Sequence, residues 1–186
     1  RDVERSRGLG DVYKRQRYVW IGTWKGLNLY DKQTCKIIPF PDTRLLDKGI
    51  NYMAADKEDN IWIGAGNTIY RCNSTASIAR EYDIFGSQQN KHTINFVYQD
   101  REGNMWVLTG GGLFKYDDKS DSFITYPPLG KNNAPYTMCQ DQSGNYWIGT
   151  WGEGLWQFFP QKEGEECYKR HHIINSRSCL LYTSPS

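Results

Sequence analysis

The chain has 186 residues with 23 Lys/Arg and 21 Asp/Glu, and 15% of its residues are aromatic. A formal charge of +2 gives no expectation of nucleic acid or an anionic surface as partner, and no apolar run approaches the roughly 20 residues of a membrane-spanning helix. The five cysteines form no CxxC pair and stand at no metal-ligand spacing with a histidine, so neither a metal site nor a cofactor is expected.

In chain order, residues 1–16 come first and stand apart. One back-translation of residues 11–16 (DVYKRQ) has a reverse complement that encodes Cys-Leu-Leu-Tyr-Thr-Ser, the string at 179–184, and the match extends outward on both sides. The two ends read as opposite strands of one DNA adapter of the transposon-sequencing kind, so 1–16 and 179–186 are set aside as non-native tails. They carry five basic and three acidic residues. The remaining 18 basic and 18 acidic residues leave no net formal charge.

From residue 17 onward one unit recurs. WIGTWKGLNLYD at 20–31 returns as WIGAGNTIYRCN at 62–73, WVLTGGGLFKYD at 106–117 and WIGTWGEGLWQFF at 147–159. A fixed period of about 40 residues marks an array of one supersecondary unit. Ahead of three of the four copies runs a short alternating segment ending in Asp: INYMAAD at 50–56, INFVYQD at 94–100 and YTMCQD at 136–141. Period-two alternation with aromatic and β-branched residues predicts strands. The Asp56, Asp100 and Asp141 turns follow, with Asp59, Gly103 and Gly144 where a positive φ is needed. Next come the Trp strand (19–23, 61–65, 105–109, 146–150), a Gly-rich turn, a third strand and a fourth, the last marked by Phe40, Tyr82, Tyr126 and Tyr168.

Four strands in about 42 residues with tight turns predict one blade of a β-propeller. A β-sandwich fails on the spacing, because Asp to Trp is six residues in every complete copy, and a helical repeat fails for want of 3.6-residue periodicity. The chain is predicted to be all-β: three complete four-stranded blades plus a truncated one, with repeats near 17–40, 50–82, 94–126 and 136–168. Residues 169–178 read as the start of a further blade, and the whole as a segment of a larger propeller whose neighbouring blades are its partners.

Trp20, Trp62, Trp106 and Trp147 recur at one strand position, as core residues do. Cys72, where other copies have Tyr30, Tyr116 and Phe158, reads as a small apolar filler. Trp24 and Trp151 differ, because they fall in the turn after the Trp strand, where the other copies have Gly66 and Gly110. An indole there suits stacking on a sugar or a peptide, or covers a blade edge. Arg44, Lys48, Asn132, Asn133 and Tyr136, with Asp47 and His92, are predicted on the same face, giving a candidate oligosaccharide site of rings, amides and charges. No catalytic residue is assigned: His92 has no partner at fixed spacing, His171 and His172 fall in the expected next blade, and the repeat aspartates recur too regularly for one active centre.

The string DQSGNYWIGT at 141–150, followed by Gly154 and Leu155, resembles the two-component regulator propeller repeat. Asp100, Gly103, Asn104, Trp106, Thr109, Gly112 and Leu113 match it, as do Trp20, Ile21, Gly22, Thr23, Gly26 and Leu27. The resemblance implies a seven-bladed propeller and the periplasmic sensor region of a hybrid histidine kinase of the Bacteroidetes type, responsive to glycan fragments and not itself an enzyme. An interaction scaffold, or a propeller lyase or hydrolase, is the competing expectation. The second copy departs most, at Ala65, Asn67, Arg71 and Cys72.

Overall fold

The computed structural model describes residues 17–86, 92–130 and 134–171. The adapter-like tails, Asn132, Asn133, His172 and the rest of 172–178 lie outside the described residues.

Four antiparallel sheets follow one another along the chain. The first has three strands, β1 (Tyr18–Thr23), β2 (Gly26–Asp31) and β3 (Lys36–Pro39). The second has β4 (Ile50–Ala55), β5 (Ile61–Ala65), β6 (Thr68–Cys72) and β7 (Ile78–Tyr82). The third has β8 (Ile94–Gln99), β9 (Met105–Thr109), β10 (Gly112–Asp117) and β11 (Ser122–Thr125). The fourth has β12 (Pro135–Gln140), β13 (Tyr146–Thr150), β14 (Gly154–Phe158) and β15 (Tyr168–His171). Each is a meander whose strands pair in sequence order. This is the expected arc of propeller blades, three with four strands and the first with three.

The alternation within each Trp strand is the key to the packing. In β5, Ile61, Ile63 and Ala65 join a core shared with Leu27, Leu29 and Phe40 of the first blade, while Trp62 joins a core shared with Met105, Phe114 and Tyr116 of the third. Odd positions face the blade before and even positions the blade after. Both faces of β5 and β9 are buried along their whole length, as expected of a strand between two layers. In β13 only Tyr146 and Ile148, which face the third blade, are buried; Trp147 and Gly149 are partly exposed.

The glycine after Trp-Ile is a packing residue. A Cβ at Gly64 would lie 2.6 Å from Ile94 Cγ2, and one at Gly22 would lie 2.6 Å from Ile50 Cγ2, so the missing side chain admits the first residue of the next inner strand. The third copy exchanges the pair: Leu108 replaces the glycine, and Pro135 stands at the register position of Ile50 and Ile94.

Two expectations change at the last blade. Residues 169–171, expected to begin the next blade, complete β15, paired to β14 with Leu155 opposite His171. That register makes His171, not Tyr168, the counterpart of Phe40, Tyr82 and Tyr126. Accordingly Trp147 meets His171 at 5.1 Å between ring centroids, as Trp20 meets Phe40 (5.6 Å), Trp62 Tyr82 (5.9 Å) and Trp106 Tyr126 (5.5 Å). The cause is a longer third hairpin, which includes a 3-10 turn at Gly164–Cys167 and delays the outer strand. Tyr168 instead stacks on Phe158 and donates its hydroxyl to the Pro127 carbonyl at 2.8 Å.

Candidate functional site

The two faces of the arc are built by different devices. On one lie the aspartate turns. Asp100 Oδ1 accepts the Asn104 backbone N–H at 2.8 Å, and its Oδ2 accepts Asn104 Nδ2 at 2.8 Å and Trp106 Nε1 at 2.8 Å. Asp56 holds Asn60 and Trp62 in the same way, and Asp141 holds Asn145 and Trp147. The aspartate is therefore a latch on the core indole as well as a turn residue, which explains the fixed six-residue spacing. Gly103 and Gly144 take φ +94° and +85°, and Asp59 adopts the same left-handed region at +62°.

Asp100 carries a further load. Buried between blades, it also accepts the Tyr146 hydroxyl of the fourth blade at 2.7 Å. Burial pushes its carboxyl up, but the bonds from Trp106, Asn104 and Tyr146 outweigh that and hold it below the usual range. Burial, then the bond to Asp100, raises the Tyr146 phenol. Hydrogen bonds from Tyr82 and Tyr116 (2.7 Å each), with Arg80 at 3.0 Å, bring Asp121 down to about 2 and tie the second blade to the third. Burial raises the Cys72 thiol to about 12, in keeping with a packing role. These groups join neighbouring blades.

The opposite face carries the turns after the Trp strands and the segments that lead into the inner strands. In three copies a threonine staples the turn: Thr23, Thr109 and Thr150 each donate Oγ1 to the carbonyl of Gly26, Gly112 and Gly154. The second copy has Ala65, and there Gly66 takes φ +61° while its N–H is held by Asn51 Oδ1 at 3.0 Å.

Trp24 and Trp151 stand on these turns, 81% and 75% exposed, against 1% for Trp62 and Trp106. Trp151 pairs with Tyr136, itself 51% exposed, at 5.7 Å between centroids and 52° between planes. Trp24 lies three blades away along the arc, its ring over Gly49. His92 rests on the Gly110–Gly111 turn, and its ring centroid is 6.3 Å from that of Phe85. Arg44 and Lys48 do not join the rings. Arg44 is held by Asp42 at 2.6 Å and reaches Glu81 at 3.6 Å, while Lys48 donates to the Tyr70 hydroxyl at 2.5 Å. Both clasp the segment between blades 1 and 2 onto blade 2.

Sequence reasoning missed a feature that this face shares across blades. Each inner strand starts with a β-bulge, because its register slips by one residue between Ile50 and Tyr52, Ile94 and Phe96, and Pro135 and Thr137. The extra residues are Asn51, Asn95 and Tyr136. Bulges re-aim a side chain away from the regular alternation. The recurrence of Ile-Asn in two copies was the available signal, but strict alternation hid the extra residue.

Among the described residues no group of three or more His, Cys, Asp and Glu is placed to hold a metal ion. A groove of about 580 Å³ opens between the outer strands of blades 2 and 3, lined by Tyr82, Phe85, Asp121 and Phe123 among others. It holds none of the expected site residues.

The architecture is that of an arc of β-propeller blades. Residues 129–152, the stretch that contains both Tyr136 and Trp151, match the two component regulator propeller family. Among solved structures, the chain is similar to the extracellular domain described for one hybrid two component system of B. thetaiotaomicron (23% identity, TM-score 0.68, 88% of this chain and 22% of that one). It is also similar to such a domain from a second system of that organism (22% identity, TM-score 0.65, 84% and 22%). A third likeness is to a catalytically inactive virginiamycin B lyase from Staphylococcus aureus (14% identity, TM-score 0.64, 87% and 54%). At these identities the likeness is one of fold. The chain spans 22% of the length of the two-component sensor domains it matches. Compared by sequence with curated proteins, it has no match.

Proposed function

We propose that this chain is part of the ligand-sensing propeller of a membrane-bound two-component receptor, outside the cytoplasmic membrane, and that its ligand is an oligosaccharide. The match to the regulator propeller repeat over residues 129–152 and the fold shared with extracellular domains of hybrid two component systems support the receptor reading. No helix of the described residues is long and apolar enough to cross a membrane.

The observation that carries the glycan reading is the exposed Tyr136–Trp151 pair. Large rings left three-quarters or half open to solvent contribute little to folding, while their faces offer apolar area to the C–H side of a sugar ring. Turns on a rigid frame are where recognition residues concentrate. The test is a titration of the full chain with neutral and acidic oligosaccharides followed by tryptophan fluorescence. A saturable change that disappears in Trp151→Ala supports the reading. Saturation by peptides alone would replace it with an interaction scaffold.

A further inference from the structure

The bulge positions resolve that face further, on the reading that it binds a glycan. In the two blades where the bulge residue touches the turn after the Trp strand, the smaller bulge residue meets the smaller turn residue. In blade 2, Asn51 touches Gly66 through the 3.0 Å bond to its N–H. In blade 3, Asn95 is the second residue of β8, whose partner strand runs into the Gly110–Gly111 turn, and in blade 4, Tyr136 meets Trp151. Elsewhere the repeat is held by the Asp latch of blades 2 to 4, the Thr staple of blades 1, 3 and 4, and the Trp–aromatic pair of all four. Variation is concentrated where a side chain is turned out of the sheet.

Asn95 joins two blades. Its Nδ2 donates to the Pro135 carbonyl at 3.2 Å, the residue just before Tyr136. The amide is thereby fixed beside the start of the fourth inner strand. That bond uses the nitrogen, and no described group donates to Asn95 Oδ1, which remains an acceptor for a hydroxyl. We infer that Asn95, Tyr136 and Trp151 form one saccharide subsite, in which the aromatic corner takes the C–H face of a pyranose ring and Asn95 Oδ1 takes one of its hydroxyls, and that the inner-strand bulge is the position that sets specificity blade by blade. The 52° angle between the rings makes a corner and not a flat platform, which fits a single sugar unit better than a helical or extended run of them. Stacking and a fixed acceptor are the two elements sugar recognition needs.

The experiment uses the full chain and a panel of maltohexaose, cellohexaose, xylohexaose, arabinohexaose and a chondroitin hexasaccharide, titrated calorimetrically. Tyr136→Asn installs the residue that blades 2 and 3 already carry at the bulge, so folding is preserved, and melting curves check it. The expected result for the panel member that binds is about a five- to tenfold loss of affinity in Tyr136→Asn and in Trp151→Ala. A similar loss is expected in Asn95→Ala, and the double variant Tyr136→Asn/Trp151→Ala should lose less than the product of the single losses, because both rings hold one sugar. Binding unchanged in these variants but abolished by Trp24→Ala overturns the subsite and leaves the glycan reading standing. Multiplicative losses would also overturn it, since two rings acting independently do not form one corner. Absence of binding across the whole panel overturns the glycan reading and the subsite with it.

Discussion

Two sets of tryptophans come from the same short repeat and have opposite fates. Trp62 and Trp106 are buried in the cores between blades, latched by an aspartate through the indole N–H and packed on an aromatic from the outer strand. Trp24 and Trp151 sit four residues later on a turn and are left in solvent. What separates them is the pleat and the turn: an even position in the Trp strand faces the next blade, while a turn position faces none. A residue type is therefore not a site. Its place in the repeat decides whether its ring is buried between blades or left exposed to solvent.

The comparison is broken most severely at the core. Trp106→Ala is expected to destabilise the protein by about 3–5 kcal/mol, the usual cost of emptying a large aromatic site, read as a drop in the denaturant midpoint of the full chain. The aspartate latches come next. Asp100→Ala leaves the Trp106 N–H and the Tyr146 hydroxyl buried without their acceptor and is expected to cost about 2–4 kcal/mol. Asp141→Ala removes the same kind of latch from the partly exposed Trp147, where water can replace it, and is expected to cost clearly less than Asp100→Ala. Urea melts of the two variants check the ratio; equal losses would show that burial between blades adds nothing to the latch.

A smaller effect is expected with pH. Asp100, Asp121 and Asp141 all have carboxyls held below the ordinary range, the latter two at about 2. The unfolded chain takes up these protons near pH 4, whereas the folded chain takes them up at lower pH, near 2 for Asp121 and Asp141. Their stabilisation is therefore complete above about pH 5 and is lost as the pH falls toward 2. The melting temperature is expected to be flat from pH 7 to 5 and to fall below that. Asp121→Asn, which removes the acceptor charge for Tyr82, Tyr116 and Arg80, should make the fall shallower. A fall of unchanged steepness would mean other carboxylates carry the acid response.

Most of the fold was legible because each blade states its strands by alternation and its turns by Asp, Gly and Asn, and four copies agree. The inner strands were expected at 50–56, 94–100 and 136–141 and lie at Ile50–Ala55, Ile94–Gln99 and Pro135–Gln140. What the repeat could not announce was the role of its aspartate, since a hydrogen bond to an indole six residues away leaves only a spacing. His171 was missed because a long hairpin with a 3-10 turn at Gly164–Cys167 moves it three residues beyond Tyr168, the position that the spacing of Phe40, Tyr82 and Tyr126 in the other copies points to. The candidate site was legible only in part. Trp24 and Trp151 stood out as large rings in a turn, and Tyr136 was placed on the same face. That Arg44 and Lys48 are spent on Asp42, Glu81 and Tyr70 depends on how one connecting segment lies across a blade, which no local pattern encodes.

The division between folding rings and free rings is tested most directly by measuring Trp106→Ala and Trp151→Ala side by side in the full chain, each by urea melt and by titration with the same hexasaccharide panel. The account predicts that Trp106→Ala loses about 3–5 kcal/mol of stability, while Trp151→Ala melts within about 0.5 kcal/mol of the parent and binds roughly five- to tenfold more weakly. If Trp151→Ala melts as early as Trp106→Ala, or binds as tightly as the parent, the turn tryptophan is not a recognition residue and the division fails.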